Sequence, residues 1–296
     1  MKNRLFPFAA AALVGWSGHA LATEGGGSTY PSGVENFMVG AVPPPGLYVL
    51  NYDNLYVADK LKDGLGQQVP VPGFKVNAAV VATRVVWSTP QPVWGGNLVF
   101  HTIIPVVDLK VSAAGASQHK TGVGDITVGV GIAHHHSEAL HTATGLDLVL
   151  PTGGYDKTDL ANIGRNYASL QPLFGLTYLQ SRGFNGDFKI TFNLNQKNKD
   201  TQYRSGDEVF VDFATGYGLG NGWTLGVGGY VRRQWSSDTQ AGAVVANSRS
   251  SGFALGPSLR YDNGKGWFIT AKFQAESAVR NGTEGKAFWI KTAIPF

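Results

Sequence analysis

Hydrophobic and polar residues alternate along most of the chain after Gly46, in segments of about ten residues. In the clearest segment, 184–195, apolar residues and glycine take every second position and polar residues take the positions between them. This period of two predicts a β-strand with one apolar and one polar face. Segments 208–219, 253–262 and 267–277 repeat the pattern.

Further strands bring the predicted number to twelve. They are less regular or more apolar on both faces, and lie at 46–57, 74–88, 95–108, 123–136, 141–150, 168–180, 222–234 and 286–296. A secreted β-sandwich and a membrane barrel both use many short strands, but an even strand count with charges on one face is typical of a bacterial outer-membrane barrel. We therefore predict an all-β, transmembrane antiparallel up-and-down β-barrel of about twelve strands over residues 46–296.

The connections between these strands alternate in length. Short connections are predicted as periplasmic turns near 137–140, 181–183, 219–222 and 263–266, with a somewhat longer one at 89–94. Longer, polar connections are predicted as extracellular loops near 58–73, 109–122, 151–167, 196–206, 235–250 and 278–285. This arrangement places both chain termini in the periplasm.

Both ends of the chain carry export features. Residues 1–22 resemble a signal peptide, with Lys2 and Arg4 before a short apolar run and a small-x-small cleavage site ending at Ala22. The apolar run is shorter than the roughly 20 residues of a membrane anchor. Residues 23–45, rich in Gly, Ser and Pro, are predicted to form an extended periplasmic lead-in. The terminal Phe296 resembles the signal by which outer-membrane barrels are recognised for insertion.

Composition narrows the function classes. The chain contains 40 glycines, no cysteine and only 15% charged residues. Thiol catalysis, cysteine metal sites and disulfides are therefore excluded. The net charge of +4 falls to +2 when the signal peptide is removed, so no nucleic-acid partner is indicated.

Several motifs in a fixed order resemble a known family. They are Gly122-Val123-Gly124-Asp125, Pro151-Thr152-Gly153-Gly154-Tyr155-Asp156, Asn162-Ile163-Gly164-Arg165-Asn166-Tyr167, Asn193-Leu194-Asn195 with the stretch 201–208, and Gly256-Pro257. Together they resemble the outer-membrane proteins of the meta pathway of phenol degradation, from about Pro43 to Phe296. The resemblance implies an outer-membrane barrel and suggests uptake of aromatic or other hydrophobic compounds. It brings no agreed substrate and no set of binding residues.

Charged residues predicted to face the lumen are the main site candidates, because a charge at membrane depth must face protein or water. They are Arg84, Asp125, Asp147, Asp187, Lys189, Glu208, Asp212, Arg232, Arg260, Lys272 and Glu276. Such a set of both signs either holds a small barrel together through paired charges or lines a pore, and the sequence leaves both interpretations open. A second group of candidates has two interpretations, a constriction of the barrel mouth or a simple turn: Pro151, Thr152, Gly153, Tyr155 and Asp156.

Histidines offer little chemistry. Consecutive residues of a strand point to opposite faces, so at most two of His134, His135 and His136 share one, and we predict no metal and no cofactor. His101 and His141 lie in predicted strands, but no Gly-x-Ser-x-Gly nucleophile motif accompanies them. We therefore predict that the chain is not an enzyme.

These observations lead to one main functional hypothesis. The chain is predicted to be a monomeric channel in the outer membrane of a Gram-negative cell, for passive uptake of small hydrophobic or aromatic compounds. Its predicted partners are outer-membrane lipid, the small substrate and, during biogenesis, the barrel assembly machinery. The alternatives are a structural or adhesive barrel with a plugged lumen and, less favoured, a lipid-active outer-membrane enzyme.

Overall fold

The computed structural model describes residues 27–295. The predicted signal peptide and Phe296 lie outside the described residues, as does the start of the segment 23–45. Among the described residues, no helix is long and apolar enough to cross a membrane. The strands are β1 (Gly46–Lys62), β2 (Lys75–Val93), β3 (Gly96–Ala113), β4 (Ala116–Val123), β5 (Thr127–His135), β6 (Leu140–Val149), β7 (Ser169–Tyr178), β8 (Arg182–Asn195), β9 (Tyr203–Arg204), β10 (Glu208–Leu219), β11 (Trp223–Gln234), β12 (Thr239–Gln240), β13 (Ala243–Val244), β14 (Ser251–Asp262), β15 (Phe268–Arg280) and β16 (Gly282–Pro295).

The long strands close into one antiparallel barrel. Each pairs with its neighbour in the sequence, and β1 pairs with both β2 and β16, so the sheet has no free edge at its two ends. Strands β4 and β5 both pair with β3 and are two pieces of one barrel strand, interrupted at 124–126. The barrel therefore has twelve strands, and the predicted fold class is confirmed.

The two faces of the sheet are inverted relative to a soluble protein. On β8, Phe184 and Phe192 are 58% and 45% exposed on the outer surface, whereas Asn185, Asp187 and Asn193 are buried inside. This follows from the strand period of two, which sends successive side chains to opposite faces. An apolar outer band around a polar interior is the arrangement expected of a barrel in lipid.

One polar group interrupts the outer band. On β1, the carboxylate of Asp53 accepts two hydrogen bonds of 2.9 Å from the side-chain amide of Asn51. The Thr83 hydroxyl of β2 donates to the Asn51 carbonyl at 3.3 Å. These residues share the outward face with Leu55, which is 59% exposed. An ionisable side chain thus lies among the apolar residues of the outer surface.

The two ends of the barrel differ in their connections. The terminal end, where Gly46 and Pro295 lie, carries five short turns, and the opposite loop end carries six connections, as predicted. Two predicted loops are wrong, however. Residues 109–122 form the extended hairpin of β3 and β4, whose two-residue turn has φ of +51° at Ala114 and +84° at Gly115. Residues 278–285 similarly belong to β15 and β16.

The reason for these two errors is physical. Strand ends that extend beyond an apolar membrane band can carry polar residues on both faces, so their composition resembles that of a loop. The 89–94 connection is shorter than predicted for the same reason, because β2 continues to Val93 and the turn is formed by Trp94 and Gly95. The remaining loop-end connections are 63–74, 150–168, 196–207 and 235–250, the last two carrying the small sheet of β9, β12 and β13.

The largest departure from the sequence analysis concerns the chain before β1. Residues 28–40 bond to side chains that point into the lumen, so the prediction of an extended lead-in outside the barrel is wrong for this part of the segment 23–45. A Gly-, Ser- and Pro-rich segment has few side chains to pack, but its backbone N–H and C=O groups can pair with a polar lumen. We call residues 27–42 the luminal segment.

Candidate functional site

The luminal segment is held at its centre by buried charged side chains of the wall. Tyr30 donates its hydroxyl to Asp212, and the backbone N–H of Gly33 donates to the same carboxylate at 3.0 Å. Lys272 donates to the carbonyls of Gly33 at 2.8 Å and Glu35 at 2.5 Å. Two of the sequence-predicted lumen residues therefore bind protein backbone.

Only glycine fits at position 33, where the luminal segment approaches the barrel wall closely. The φ of Gly33 is +75°, and a Cβ at this position would lie 2.4 Å from Oε1 of Gln274 and 2.8 Å from the ring of Tyr230. Only glycine combines that backbone conformation with that proximity. The centre of the luminal segment is thus fitted closely to the wall formed by β11 and β15.

The segment spans the lumen from one end to the other. At the loop end, Ser28 donates to Glu208 at 2.6 Å. At the terminal end, the backbone N–H of Met38 donates to Asp187 at 2.8 Å and that of Gly40 donates to Thr177 at 2.9 Å. The luminal segment therefore contacts the barrel wall from the loop end to the terminal end.

Glu35 lies between three cations of the wall. Its carboxylate is 3.1 Å from Nζ of Lys291, 3.7 Å from Nζ of Lys189 and 3.8 Å from the guanidinium of Arg84. The cations come from β16, β8 and β2, so one side chain of the luminal segment is tied to three separate parts of the barrel. We call these four residues the Glu35 cluster.

Beside the Glu35 cluster, His101 and Asp147 form a buried pair at 2.9 Å. The other ring nitrogen of His101, Nδ1, has no hydrogen-bond partner among the described residues. Gly129 makes room for the pair, because a Cβ there would lie 2.2 Å from the Asp147 carboxylate. Within residues 27–295 no serine hydroxyl is bonded to His101, so the described residues bring together two members of a hydrolase triad and not three.

The lumen contains a loop-end cavity and a terminal-end cavity, which meet at Glu35 and Lys189. The loop-end cavity has a volume of about 380 Å³ and the terminal-end cavity about 90 Å³. Glu35, Lys189, Asp147 and Tyr52 line both of them. Glu35 and Lys189 of the Glu35 cluster therefore lie between the loop-end cavity and the terminal-end cavity.

The loop-end cavity has one apolar and one polar wall. Strands β2 and β3 and the loop before β7 supply the apolar wall, which consists of Ala78, Val80, Ala82, Ile103, Pro105, Val107, Leu109 and Ile163. Strands β1, β11, β15 and β16 supply the polar wall, which includes Tyr56, Tyr230, Arg232, Gln274, Glu276 and Trp289. Such a cavity suits a small molecule that is apolar over most of its surface and carries one polar group.

Glu276 is the carboxylate of the polar wall. It accepts hydrogen bonds from Tyr56 at 2.9 Å, from Tyr230 at 2.5 Å and from the backbone N–H of Gly285 at 2.7 Å. Arg260, in contrast, donates to the Met38 sulfur and to Thr224, and it lines neither cavity. Of the predicted lumen charges, therefore, some face open space and others bind the luminal segment.

Asp125 fixes the long loop at the barrel mouth. It accepts the backbone N–H of Gly153 at 2.9 Å and of Arg165 at 2.8 Å. Asp125 also lines the loop-end cavity.

The predicted constriction residues belong to the long loop before β7, but they do not line either cavity. Thr152 and Gly153 bond to the backbone and side chain at 124–126, while Pro151, Tyr155 and Asp156 lie outside the lining of either cavity. The part of the loop that lines the cavity instead comprises Asn162, Ile163 and Arg165. Thr152 and Gly153 thus fix the turn that begins the loop, and the loop residues that line the cavity follow this turn.

Side-chain hydrogen bonds anchor the middle of the loop before β7 to the barrel wall. Asp159 accepts hydrogen bonds from Gln118 at 2.5 Å and from Lys120, both on β4. The hydrogen bonds from Lys120 and Gln118 lower the pKa of the Asp159 carboxyl. The free edge of β4 is therefore covered by the loop through side chains, which explains why β4 needs no second strand partner.

The histidine run behaves as strand geometry requires. His134 and His136 share the outer face with ring centroids 5.9 Å apart, whereas His135 bonds to His141 at 2.8 Å on the inner face. Among residues 27–295, no group of three or more His, Asp or Glu side chains is arranged to hold a metal ion.

A family profile described as "Putative MetA-pathway of phenol degradation" matches residues 58–292. The chain belongs to this family. The match covers most of the barrel and includes all the motifs that suggested the resemblance. No curated protein sequence matches the chain.

One solved structure described here shares the fold of this chain. The COG4313 outer membrane channel from Pseudomonas putida F1 aligns with a TM-score of 0.76 and 17% sequence identity, covering 86% of this chain and 97% of that one. The translocator domain of the autotransporter NalP from Neisseria meningitidis aligns with a TM-score of 0.48 and 11% identity, covering 87% and 91% of the two chains. A FadL homologue from Pseudomonas aeruginosa aligns with a TM-score of 0.41 and 8% identity, covering 84% and 90%. The likeness to the COG4313 channel supports the fold, and the two lower scores carry no argument.

Proposed function

We propose that this chain is an outer-membrane channel for passive uptake of small hydrophobic or aromatic compounds. The observation that carries the proposal is the loop-end cavity, which joins an apolar wall to a polar one beside the Glu35 cluster. An apolar cavity of about 150 Å³ is large enough to hold benzene. A single-ring compound therefore fits the loop-end cavity of about 380 Å³.

The proposed placement in the cell follows from the surface and the ends of the barrel. The apolar outer band contacts outer-membrane lipid, the terminal end faces the periplasm and the loop end faces the medium. The chain inserts as a monomer with the help of the barrel assembly machinery, after cleavage of the signal peptide behind Ala22. The family description also supports a link to aromatic compounds.

Transport requires the luminal segment to move, since it contacts the wall from end to end and Glu35 lies between the two cavities. A compound would enter the loop-end cavity and bind against its apolar wall. It would reach the terminal-end cavity when the ion pairs of the Glu35 cluster break. The same hydrogen bonds favour the second candidate function, a structural barrel whose lumen stays plugged. The two candidates differ in whether the luminal segment must be released.

A disulfide lock tests this difference. Thr29 donates its hydroxyl to the Ser169 hydroxyl at 3.0 Å, and the chain has no cysteine of its own. The double variant T29C/S169C should therefore close a bond between the luminal segment and β7, and a reductant should open it. The single variant S169C is the control.

The assay is uptake of a labelled aromatic compound by cells whose own gene is deleted. We expect wild type and S169C to restore uptake, and the oxidised double variant to restore it only after reduction. Equal uptake by deleted and complemented cells would refute the channel. Equal uptake by the oxidised and the reduced double variant would refute movement of the luminal segment.

We also propose that the chain is not an enzyme. Phospholipid hydrolysis by the purified protein that is lost in the variant H101A would contradict this proposal.

A further inference from the structure

The polar wall of the loop-end cavity contains hydrogen-bonding atoms with no partner. Gln274 is fully buried, yet neither Nε2 nor Oε1 has a hydrogen-bond partner among the described residues. The same holds for Nε1 of Trp289 and for Nε of Arg232. All three residues line the loop-end cavity. Buried polar atoms are nearly always paired, so unpaired ones beside an open cavity point to a ligand that pairs them.

Arg232 differs from the other cations of the lumen. Arg84, Lys189 and Lys291 are held by Glu35. Within residues 27–295, Arg232 takes part in no ion pair of 4.0 Å or less. The nearby Glu276 is already occupied by three donors from Tyr56, Tyr230 and Gly285. Arg232 therefore lines the cavity while its Nε donor has no partner among the described residues.

The surroundings of Arg232 leave room for a ligand. Its strand partner on β14 is Gly252, and Gly282 is so close that a Cβ there would lie 3.1 Å from Nη2 of Arg232. Neither glycine has a side chain that could cover the guanidinium. An arginine with open donors recognises a carboxylate well, because two parallel N–H groups match its two oxygens.

We propose that the loop-end cavity is a binding site for a small aromatic carboxylate. The carboxylate contacts Arg232, with the indole N–H of Trp289 and the amide of Gln274 as further partners. The ring lies against the apolar wall, on the side of Ile103 and Val107. The inference rests on the proposed function, because it names the ligand chemistry of the same lumen.

Binding to the purified full-length protein in detergent tests the site directly. The probe is 4-fluorobenzoate, followed by fluorine NMR, with 4-fluorobenzyl alcohol as the neutral analogue. The variant R232Q removes the charge, and R233Q is the matched control because Arg233 is the next residue of β11 and is exposed. W289F removes one donor and keeps an aromatic ring, so it tests the site independently if R232Q fails to fold.

We expect wild type and R233Q to bind 4-fluorobenzoate equally and saturably. R232Q should bind at least tenfold more weakly, W289F several-fold more weakly, and the alcohol at least tenfold more weakly than the carboxylate. Equal affinity for alcohol and carboxylate, or full binding by both R232Q and W289F, would overturn the assignment and leave a site for neutral rings. Carboxylate binding together with equal uptake by deleted and complemented cells would refute the channel alone. Uptake restored by the wild-type gene, without carboxylate binding by the purified protein, would refute this inference alone.

Discussion

Replacing Glu35 by glutamine should release the luminal segment while leaving the barrel intact. The substitution keeps the shape of the side chain but removes the negative charge between Lys291, Lys189 and Arg84. Removing one partner of a buried ion pair costs about 3–5 kcal/mol. Two of the three distances here are long, 3.7 and 3.8 Å, so we take the lower limit of about 3 kcal/mol.

That energy acts mainly on the segment, because the strands of the wall stay hydrogen-bonded to one another. Since 1.4 kcal/mol corresponds to a factor of ten, the ratio of open to closed channels should rise by about a hundredfold. Single-channel recording in planar bilayers measures this ratio as the open probability. We expect E35Q to open far more often than wild type under the same voltage and salt.

The matched control is E284Q. Glu284 also carries ion pairs, to Lys60 at 3.4 Å and Lys62 at 3.6 Å, but it lies near the loop end of β16, away from the luminal segment. These pairs are only partly buried, and ion pairs at a protein surface contribute roughly 0–1 kcal/mol. If E35Q, E284Q and wild type have the same open probability, Glu35 does not keep the luminal segment in its closed position.

Three further substitutions test other parts of the structure. D53L replaces the one charge we find among the outer apolar residues of β1 and should raise the free energy of unfolding by about 1–2 kcal/mol, measured by urea unfolding in lipid vesicles; a lower free energy of unfolding would show instead that the hydrogen bonds between Asn51 and Asp53 stabilise the barrel. G129A places a Cβ 2.2 Å from the Asp147 carboxylate and should cost about 1–3 kcal/mol in the same assay, whereas G154A, with no atom closer than 3.8 Å, should be near neutral. D125A leaves the N–H groups of Gly153 and Arg165 without an acceptor and should speed tryptic cleavage of the loop 151–167, and an unchanged cleavage rate would contradict the anchoring role.

The barrel wall was predictable because its strands obey a simple rule. In β8, the alternation from Phe184 to Asn195 determines both the strand and the direction of each side chain. The inward charges Asp187 and Lys189 followed from the same period of two. The rule failed where polar residues occupy both faces, as in the hairpin around Ala114.

The luminal segment was not predictable by that rule. Residues 27–42 have no periodicity, and their glycines and prolines suggested a solvent-exposed segment. A signal was nevertheless present, because Tyr30, Glu35 and Phe37 are unusual in a plain linker. These are the residues that the structure buries. The same lack of periodicity hid Ile163 and Arg165, which line the cavity from the long loop.

The path of the luminal segment also constrains the order in which the protein can be assembled. Gly27 lies beside Arg165 at the loop end, while Gly46, only nineteen positions later, begins β1 at the terminal end. The seam that closes the cylinder is the pairing of β1 with β16, the first and last strands of the chain. The luminal segment precedes β1, so it must enter the lumen before β1 pairs with β16. Otherwise it must pass into the closed barrel from the terminal end. A bulky domain fused ahead of the segment would obstruct either route.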